Sequence, residues 1–149
     1  MDYSMYKNYL MHLDGAKGLF DWIESTDYLK APASTKYHDA CEGGWLDHTG
    51  NVINNILVAT KIYNLQWDRP ESPVLIGLLH DICKLNFYSY DTRNTKDEHD
   101  KWIKVPYYGV NDQFPIGHGE KSVIIAQKFM KLTVQEIVCI RGHMGAFGT

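Results

Sequence analysis

Residues 73–88, PVLIGLLHDICKLNFY, place His80 and Asp81 side by side inside an apolar run. Pro73 and, three residues earlier, Pro70 suit a first helical turn, and the residues that follow are apolar nearly all round, as in a central buried helix. A buried carboxylate is costly unless a cation or hydrogen bonds compensate it. Lys84 lies at i,i+3 spacing from Asp81 and is one such partner. An ion pair between these two residues does not explain why a histidine stands at position 80.

Helical periodicity recurs on both sides of this stretch. Apolar residues at helical spacing predict amphipathic helices over 18–29 and 52–65, separated by a Pro- and Gly-containing loop. Two aromatic and β-branched runs flank a charged middle and predict a β-hairpin or flap around residues 87–110. Thr133 and Glu136 form a capping-box pattern that predicts the start of a last helix. The expected fold is therefore mainly α, a helical bundle with a hairpin insertion.

Composition limits the function classes. The chain has 149 residues, 44% of them hydrophobic, which suits one domain with a sizeable core. The net charge of -3 and the lack of a basic block argue against tight nucleic-acid binding. No apolar run approaches membrane-spanning length. Three widely spaced cysteines, Cys41, Cys83 and Cys139, predict reduced thiols, so we expect a cytoplasmic protein.

The histidines form a set. Taken alone, His48 on an amphipathic helix is more often an ordinary hydrogen-bonded residue. A divalent metal accounts for His80 and Asp81 together, because adjacent helical positions lie about 100° apart and can both face one ion at the helix flank. Five of the seven histidines stand in Gly-, Asp- or aromatic-rich segments: His38, His48, His80, His118 and His143.

The ordered segments carry a resemblance to a known family. They are GGWLDHTGNV (43–52) and GLLHDICK (77–84), with APASTKYHDACEGGWLDHT (31–49), FPIGHGEKS (114–122) and IRGHMG (140–145). Together they resemble the H…HD pattern of the HD-domain superfamily of metal-dependent phosphohydrolases, in its small bacterial and phage branch. The resemblance implies that His48, His80 and Asp81 hold a first metal. It further implies that Asp81 bridges to a second metal held by His118 and His143, with His38 as another candidate ligand or substrate contact.

One departure from the family pattern stands out. The family normally supplies a further aspartate well beyond the GHMG segment, and no aspartate follows Asp112. The resemblance thus implies a single HD domain over 1–149 that lacks its C-terminal closing helix. Missing C-terminal sequence, a ligand from a partner chain or water, and weak metal binding are the three explanations, of which we favour the first. A core without its closing helix would make homo-oligomer formation an expectation.

The implied reaction is hydrolysis of a small phosphorylated substrate, such as a nucleotide, by a metal-activated water. One or two ions of Fe, Mn, Ni, Co, Zn or Mg are expected. Candidate groups for phosphate oxygens are Lys84, Lys121 and Arg141, although each is equally typical of a solvated surface. Two alternatives stay open: a non-catalytic module that binds a phosphorylated ligand, and a 3′ to 5′ exonuclease-like activity on short single strands. Aromatic residues of the hairpin predict either base stacking or a seal onto the helices.

Overall fold

The computed structural model describes residues 2–35, 39–112 and 116–143. In these ranges the chain forms six α-helices, a short 3-10 turn and one antiparallel pair of strands. The elements are α1 (Tyr3–Leu10), α2 (Ala16–Glu24), α3 (Gly44–Ile62), α4 (Ser72–Leu79), the 3-10 turn (Ile82–Lys84), β1 (Tyr88–Lys96), β2 (Trp102–Val110), α5 (His118–Gln127) and α6 (Val134–Arg141). No helix within the described ranges is long and apolar enough to cross a membrane.

The predicted fold class is wrong as stated. Of the residues that the structure describes, 48% are helical, so the chain is not mainly α: most of these helices are only two to three turns long, and loops and the hairpin take up the rest. β1 and β2 pair from Tyr88 opposite Val110 to Lys96 opposite Trp102, so the hairpin occupies residues 88–110.

The central helix ends before the His–Asp pair rather than carrying it. α4 stops at Leu79, and the backbone of Asp81 leaves helical geometry at φ −118° and ψ 23°. Distant side chains take the carbonyl oxygens at this end: the Trp45 indole donates to that of Asp81 at 3.0 Å, and the Ser122 hydroxyl to that of His80 at 3.0 Å. These bonds satisfy groups that a helix end would otherwise leave unpaired. His80 and Asp81 therefore sit on a fixed bend.

The core is built around α4, every residue of which is buried. Its closest neighbour is α3, and the two helices approach each other at Gly77. A Cβ on Gly77 would clash with the Ile53 Cγ1 atom and would lie 2.9 Å from the Ile53 Cα atom. This close approach brings the start of α3, which carries His48, alongside the end of α4, which carries His80.

The Gly77 contact gives a stability prediction. Gly77→Ala is expected to lower the free energy of unfolding by about 1–3 kcal/mol, because the new methyl group meets the backbone of α3 as well as a side chain. Chemical denaturation measures this change. Gly18→Ala in α2 is the matched control: its Cβ meets only a Phe129 ring carbon at 3.5 Å, and it should not destabilise. Equal stability of Gly77→Ala and the wild type would contradict the close packing.

A buried ion pair fixes the position of α6. Glu136 is fully buried, and its carboxylate accepts from the Arg69 guanidinium at 2.7 and 2.8 Å and from the Ser72 hydroxyl at 2.7 Å. Burial opposes ionisation of Glu136, but these bonds more than offset it and its pKa lies below the usual value. Glu136 also completes the capping box with Thr133, which confirms the predicted helix start. α6 is thereby tied to the start of α4, and His143, two residues beyond the end of α6, is brought to the other end of α4.

Candidate metal centre

Three imidazole rings surround one carboxylate at the end of α4. The Asp81 Oδ2 atom lies 3.2 Å from the His80 Nε2 atom and 3.4 Å from the His48 Nε2 atom. These two nitrogens lie 3.2 Å apart. On the other side, the His143 Nε2 atom lies 3.1 Å from Asp81 Oδ1. His48, His80 and Asp81 can hold a metal ion with one ligand atom each.

Three separate elements supply these side chains. His48 projects from the second turn of α3, His80 and Asp81 follow α4 directly, and His143 stands just after α6. His80 and Asp81 are buried, whereas His48 and His143 are partly exposed. A cation in this cluster would thus be embedded on one side and open to a cavity on the other.

Hydrogen bonds to the backbone fix the tautomers of two of these rings. The His80 Nδ1 atom lies 2.7 Å from the Gly77 carbonyl oxygen, and the His143 Nδ1 atom lies 2.6 Å from that of Ile140. A carbonyl oxygen only accepts, so each Nδ1 carries the proton and donates. In the neutral ring each Nε2 atom then presents a lone pair toward Asp81. Metal-binding histidines in proteins are commonly oriented in this way.

The donor set fits a cation. Asp81 Oδ1 and His143 Nε2 are both buried and lie 3.1 Å apart, as an ion pair does, yet neither has a hydrogen-bond partner among the described residues. Ligands that share an ion at about 2.1 Å stand about 3.0–3.4 Å apart in octahedral or tetrahedral geometry. The separations among His48, His80 and Asp81 are 3.2–3.4 Å. Both observations are those expected of ligands converging on one ion.

The electrostatics keep the carboxylate ionised. Burial alone would raise the pKa of Asp81, but the imidazoles of His143, His48 and His80 outweigh it and hold that pKa well below the ordinary value of 3.8. Burial lowers the pKa of His143, but Asp81 and the Ile140 carbonyl more than offset this, and the pKa is raised above 6.5. Asp81 therefore offers a negative charge at neutral pH.

The ion pair weighed from the sequence is also present. The Lys84 ammonium donates to Asp81 Oδ2 at 3.1 Å and to the Ala33 carbonyl oxygen at 2.7 Å. It compensates part of the buried charge. It does not explain why two imidazole lone pairs also face the carboxylate.

A cavity of about 580 Å³ opens above the cluster. It is lined by Ser34, Thr35, His48, Val52, His80, Asp81, Lys84, Phe87, Tyr88, Val110, His118 and His143. Phe87, Tyr88 and Val110 come from the base of the hairpin, so the hairpin forms one wall. Other aromatic residues of the hairpin lie away from this cavity: Trp102 is exposed, and Tyr107 lines a different cleft.

The remaining predicted site residues fall in different places. His118 lines the cavity, but its Nδ1 atom contacts the Cys83 Sγ atom at 3.4 Å and it lies outside the His48–His80–Asp81 group. Burial, together with the charges of Lys84 and Lys121, lowers its pKa. Lys121 is buried and pairs with Asp112 at 2.7 Å.

The last two candidates are Arg141 and His38. Arg141 is exposed and pairs with Glu120 at 3.1 Å, and it does not line the cavity. His38 lies outside the described residues.

Sequence reasoning missed two residues that shape the site. Trp45, three residues before His48, holds the bend at Asp81 through its indole N–H. Cys83, predicted only to be a reduced thiol, contacts His118, and burial raises its pKa to about 11. The one available signal was their position within GGWLDH and HDICK, beside the candidate ligands.

The chain matches no protein-family model, no curated protein and no solved structure. No known fold is therefore assigned to it, and the expectation of an HD-domain bundle is corrected to a set of short helices with a small hairpin. The functional argument that follows rests on the residues of the site.

Proposed function

We propose that this chain is a metal-dependent phosphohydrolase that acts on a small phosphoester of nucleotide size. The observation that carries the proposal is the convergence of three imidazole Nε2 atoms within 3.4 Å of the Asp81 carboxylate at the floor of a cavity. A volume of about 580 Å³ suits a ligand of that size, and Phe87 and Tyr88 offer aromatic surface beside the cluster.

The ligand assignment follows from the distances. His48, His80 and Asp81 would hold a first ion, while His143 faces the second carboxylate oxygen and would either complete that site or contribute to a second one. Imidazole and carboxylate groups suit Fe, Mn, Co, Ni and Zn, and Mg is accepted through the carboxylate.

In the proposed mechanism the metal ion and the side chains of the cavity have separate roles. When bound, a divalent metal would supply Lewis acidity toward phosphoryl oxygens and would make a nearby water molecule more acidic at neutral pH. Lys84 lines the cavity beside Asp81 and would place a positive charge near the anionic phosphate. Val52, Val110 and Phe87 contribute apolar surface to the cavity wall, and apolar surroundings strengthen such charge interactions.

A non-catalytic module that binds a phosphorylated ligand is the competing proposal. It is favoured by Lys84, which already places a cation against Asp81 without any metal. Such a module would be stabilised by phosphorylated ligands and would not convert them.

A phosphoester panel separates the two proposals. Nucleoside mono-, di- and triphosphates and p-nitrophenyl phosphates are incubated with the chain and added Mn, Fe, Co, Ni, Zn or Mg, and released phosphate is measured. We expect metal-dependent turnover of at least one substrate, lost on chelation and restored by the same metal. Thermal stabilisation by phosphorylated compounds with no phosphate released under any metal would contradict the enzyme and support the binding module.

A further inference from the structure

Cys83 and His118 form a contact that the ligand cluster does not use. Cys83 lies in the 3-10 turn and is 4% exposed, and His118 begins α5. The Cys83 Sγ atom lies 3.4 Å from the His118 Nδ1 atom. The Cys83 backbone N–H donates to the Ser122 hydroxyl at 3.3 Å, one turn further along α5. The helix is thus docked on the turn at two points, which holds this contact in place.

The chemistry of the two groups sets the direction of their hydrogen bond. A buried thiol keeps its proton, and sulfur accepts hydrogen bonds only weakly. The sp² nitrogen of an imidazole is the stronger acceptor. The Cys83 S–H therefore donates to His118 Nδ1, and in the neutral ring the proton lies on Nε2. This is the opposite tautomer to that of His80 and His143, whose Nδ1 atoms donate to backbone carbonyls.

The free side of the His118 ring belongs to the cavity. His118 lines it, and Cys83 does not. Among the described residues no hydrogen-bond acceptor is found for His118 Nε2, and this atom is not enclosed in the protein. The Phe87 ring meets the imidazole edge to face with centroids 5.4 Å apart, which limits rotation of the ring.

We propose that His118 is not a metal ligand but a hydrogen-bond donor, which offers its Nε2–H to a phosphoryl oxygen of the substrate while Cys83 holds its tautomer. Cys83 is then a positioning residue. The identity of the ligand as a phosphoester rests on the proposed function, whereas the tautomer and the absence of ligation by His118 do not. The cavity histidines thus divide into lone-pair donors to a cation and one N–H donor to an anion.

Nuclear magnetic resonance tests the tautomer directly. Long-range proton–nitrogen correlations are recorded on the ¹⁵N-histidine-labelled, zinc-loaded chain, with His118→Gln used to assign the ring. We expect His118 to carry its proton on Nε2 and His80 to carry its proton on Nδ1. A His118 ring with its proton on Nδ1, or with zinc on either nitrogen, overturns the proposal, whether or not the chain hydrolyses anything.

Inorganic phosphate tests the donor role without turnover. His118→Leu is expected to raise the Kd of phosphate on the zinc-loaded chain about tenfold, whereas His118→Gln, which keeps an N–H near the Nε2 position, should stay within about threefold. Both variants should bind as much zinc as the wild type. Unchanged phosphate affinity in His118→Leu, or loss of zinc from both variants, overturns the proposal.

The positioning role of Cys83 has its own readout. Cys83→Ser keeps a donor and should preserve the Nε2–H tautomer of His118. Cys83→Val removes the donor and replaces it with an apolar side chain about one methylene larger, and should give a mixture of tautomers. A single Nε2–H tautomer in Cys83→Val would overturn the role of the thiol.

Discussion

Asp81→Ala is expected to remove the bound transition metal and to abolish phosphoester hydrolysis. The Asp81 carboxylate contacts the Nε2 atoms of His48, His80 and His143, so its loss leaves three imidazoles and the Lys84 ammonium with no counter-charge. We expect metal affinity to fall by at least about 100-fold, since changes to groups that merely orient ligands already cost 10–100-fold. Elemental analysis after gel filtration and phosphate release measure the two effects.

Two control variants test whether the loss of metal comes from misfolding or from the removal of any nearby carboxylate. Asp81→Asn keeps the shape of the side chain and should also lose metal, while its circular dichroism spectrum stays that of the wild type. Asp47→Ala removes an exposed carboxylate one residue before His48 and should retain full metal content and turnover. Wild-type metal content or turnover in folded Asp81→Ala would sink the assignment of the site.

The affinity for metal is expected to fall steeply as the pH is lowered. Each ligand imidazole must be neutral to bind, so every proton that metal displaces contributes about tenfold in affinity per pH unit. The pKa of His143 is raised from 6.5 by Asp81 and the Ile140 carbonyl, despite opposing burial, so its contribution to the fall begins above that pH. Titration of zinc into the chain between pH 5 and pH 8 measures the slope.

The stability of the metal-free chain should depend on pH through two groups, which act in opposite directions. The depressed pKa of Asp81 contributes stability that is present above 3.8 and is lost as the pH falls through the folded value. The raised pKa of His143 contributes stability that is present below 6.5 and is lost as the pH rises through the folded value. His143→Gln should remove the second effect and shift the fall in zinc affinity to lower pH. Zinc affinity that is constant with pH would contradict ligation by these imidazoles.

Short-range features of the sequence were predictable. The Thr133–Glu136 capping box depends on residues three positions apart, and the structure confirms it. The incompatibility of an unpaired charge with an apolar run indicated a metal at His80 and Asp81, and the structure brings His48 to both.

Long-range contacts explain what could not be predicted. The end of α4 depends on donors from Trp45 and Ser122, which lie 36 residues before Asp81 and 42 residues after His80. The periodicity of the segment itself carries no information about these contacts. The sequence therefore predicted a central helix that is longer than the one observed. Arg141 was a candidate phosphate-binding residue because it lies two residues from His143 in the sequence. Its side chain instead pairs with Glu120 at the surface.

The central claim is that His48, His80 and Asp81 share a metal ion, and anomalous diffraction tests it most directly. Crystals of the chain loaded with zinc or manganese would be measured on either side of the metal absorption edge. We predict an anomalous peak within about 2.0–2.3 Å of the Nε2 atoms of His48 and His80 and of a carboxylate oxygen of Asp81. A saturated crystal with no peak between these three residues, and with the Lys84–Asp81 ion pair intact, would contradict the account.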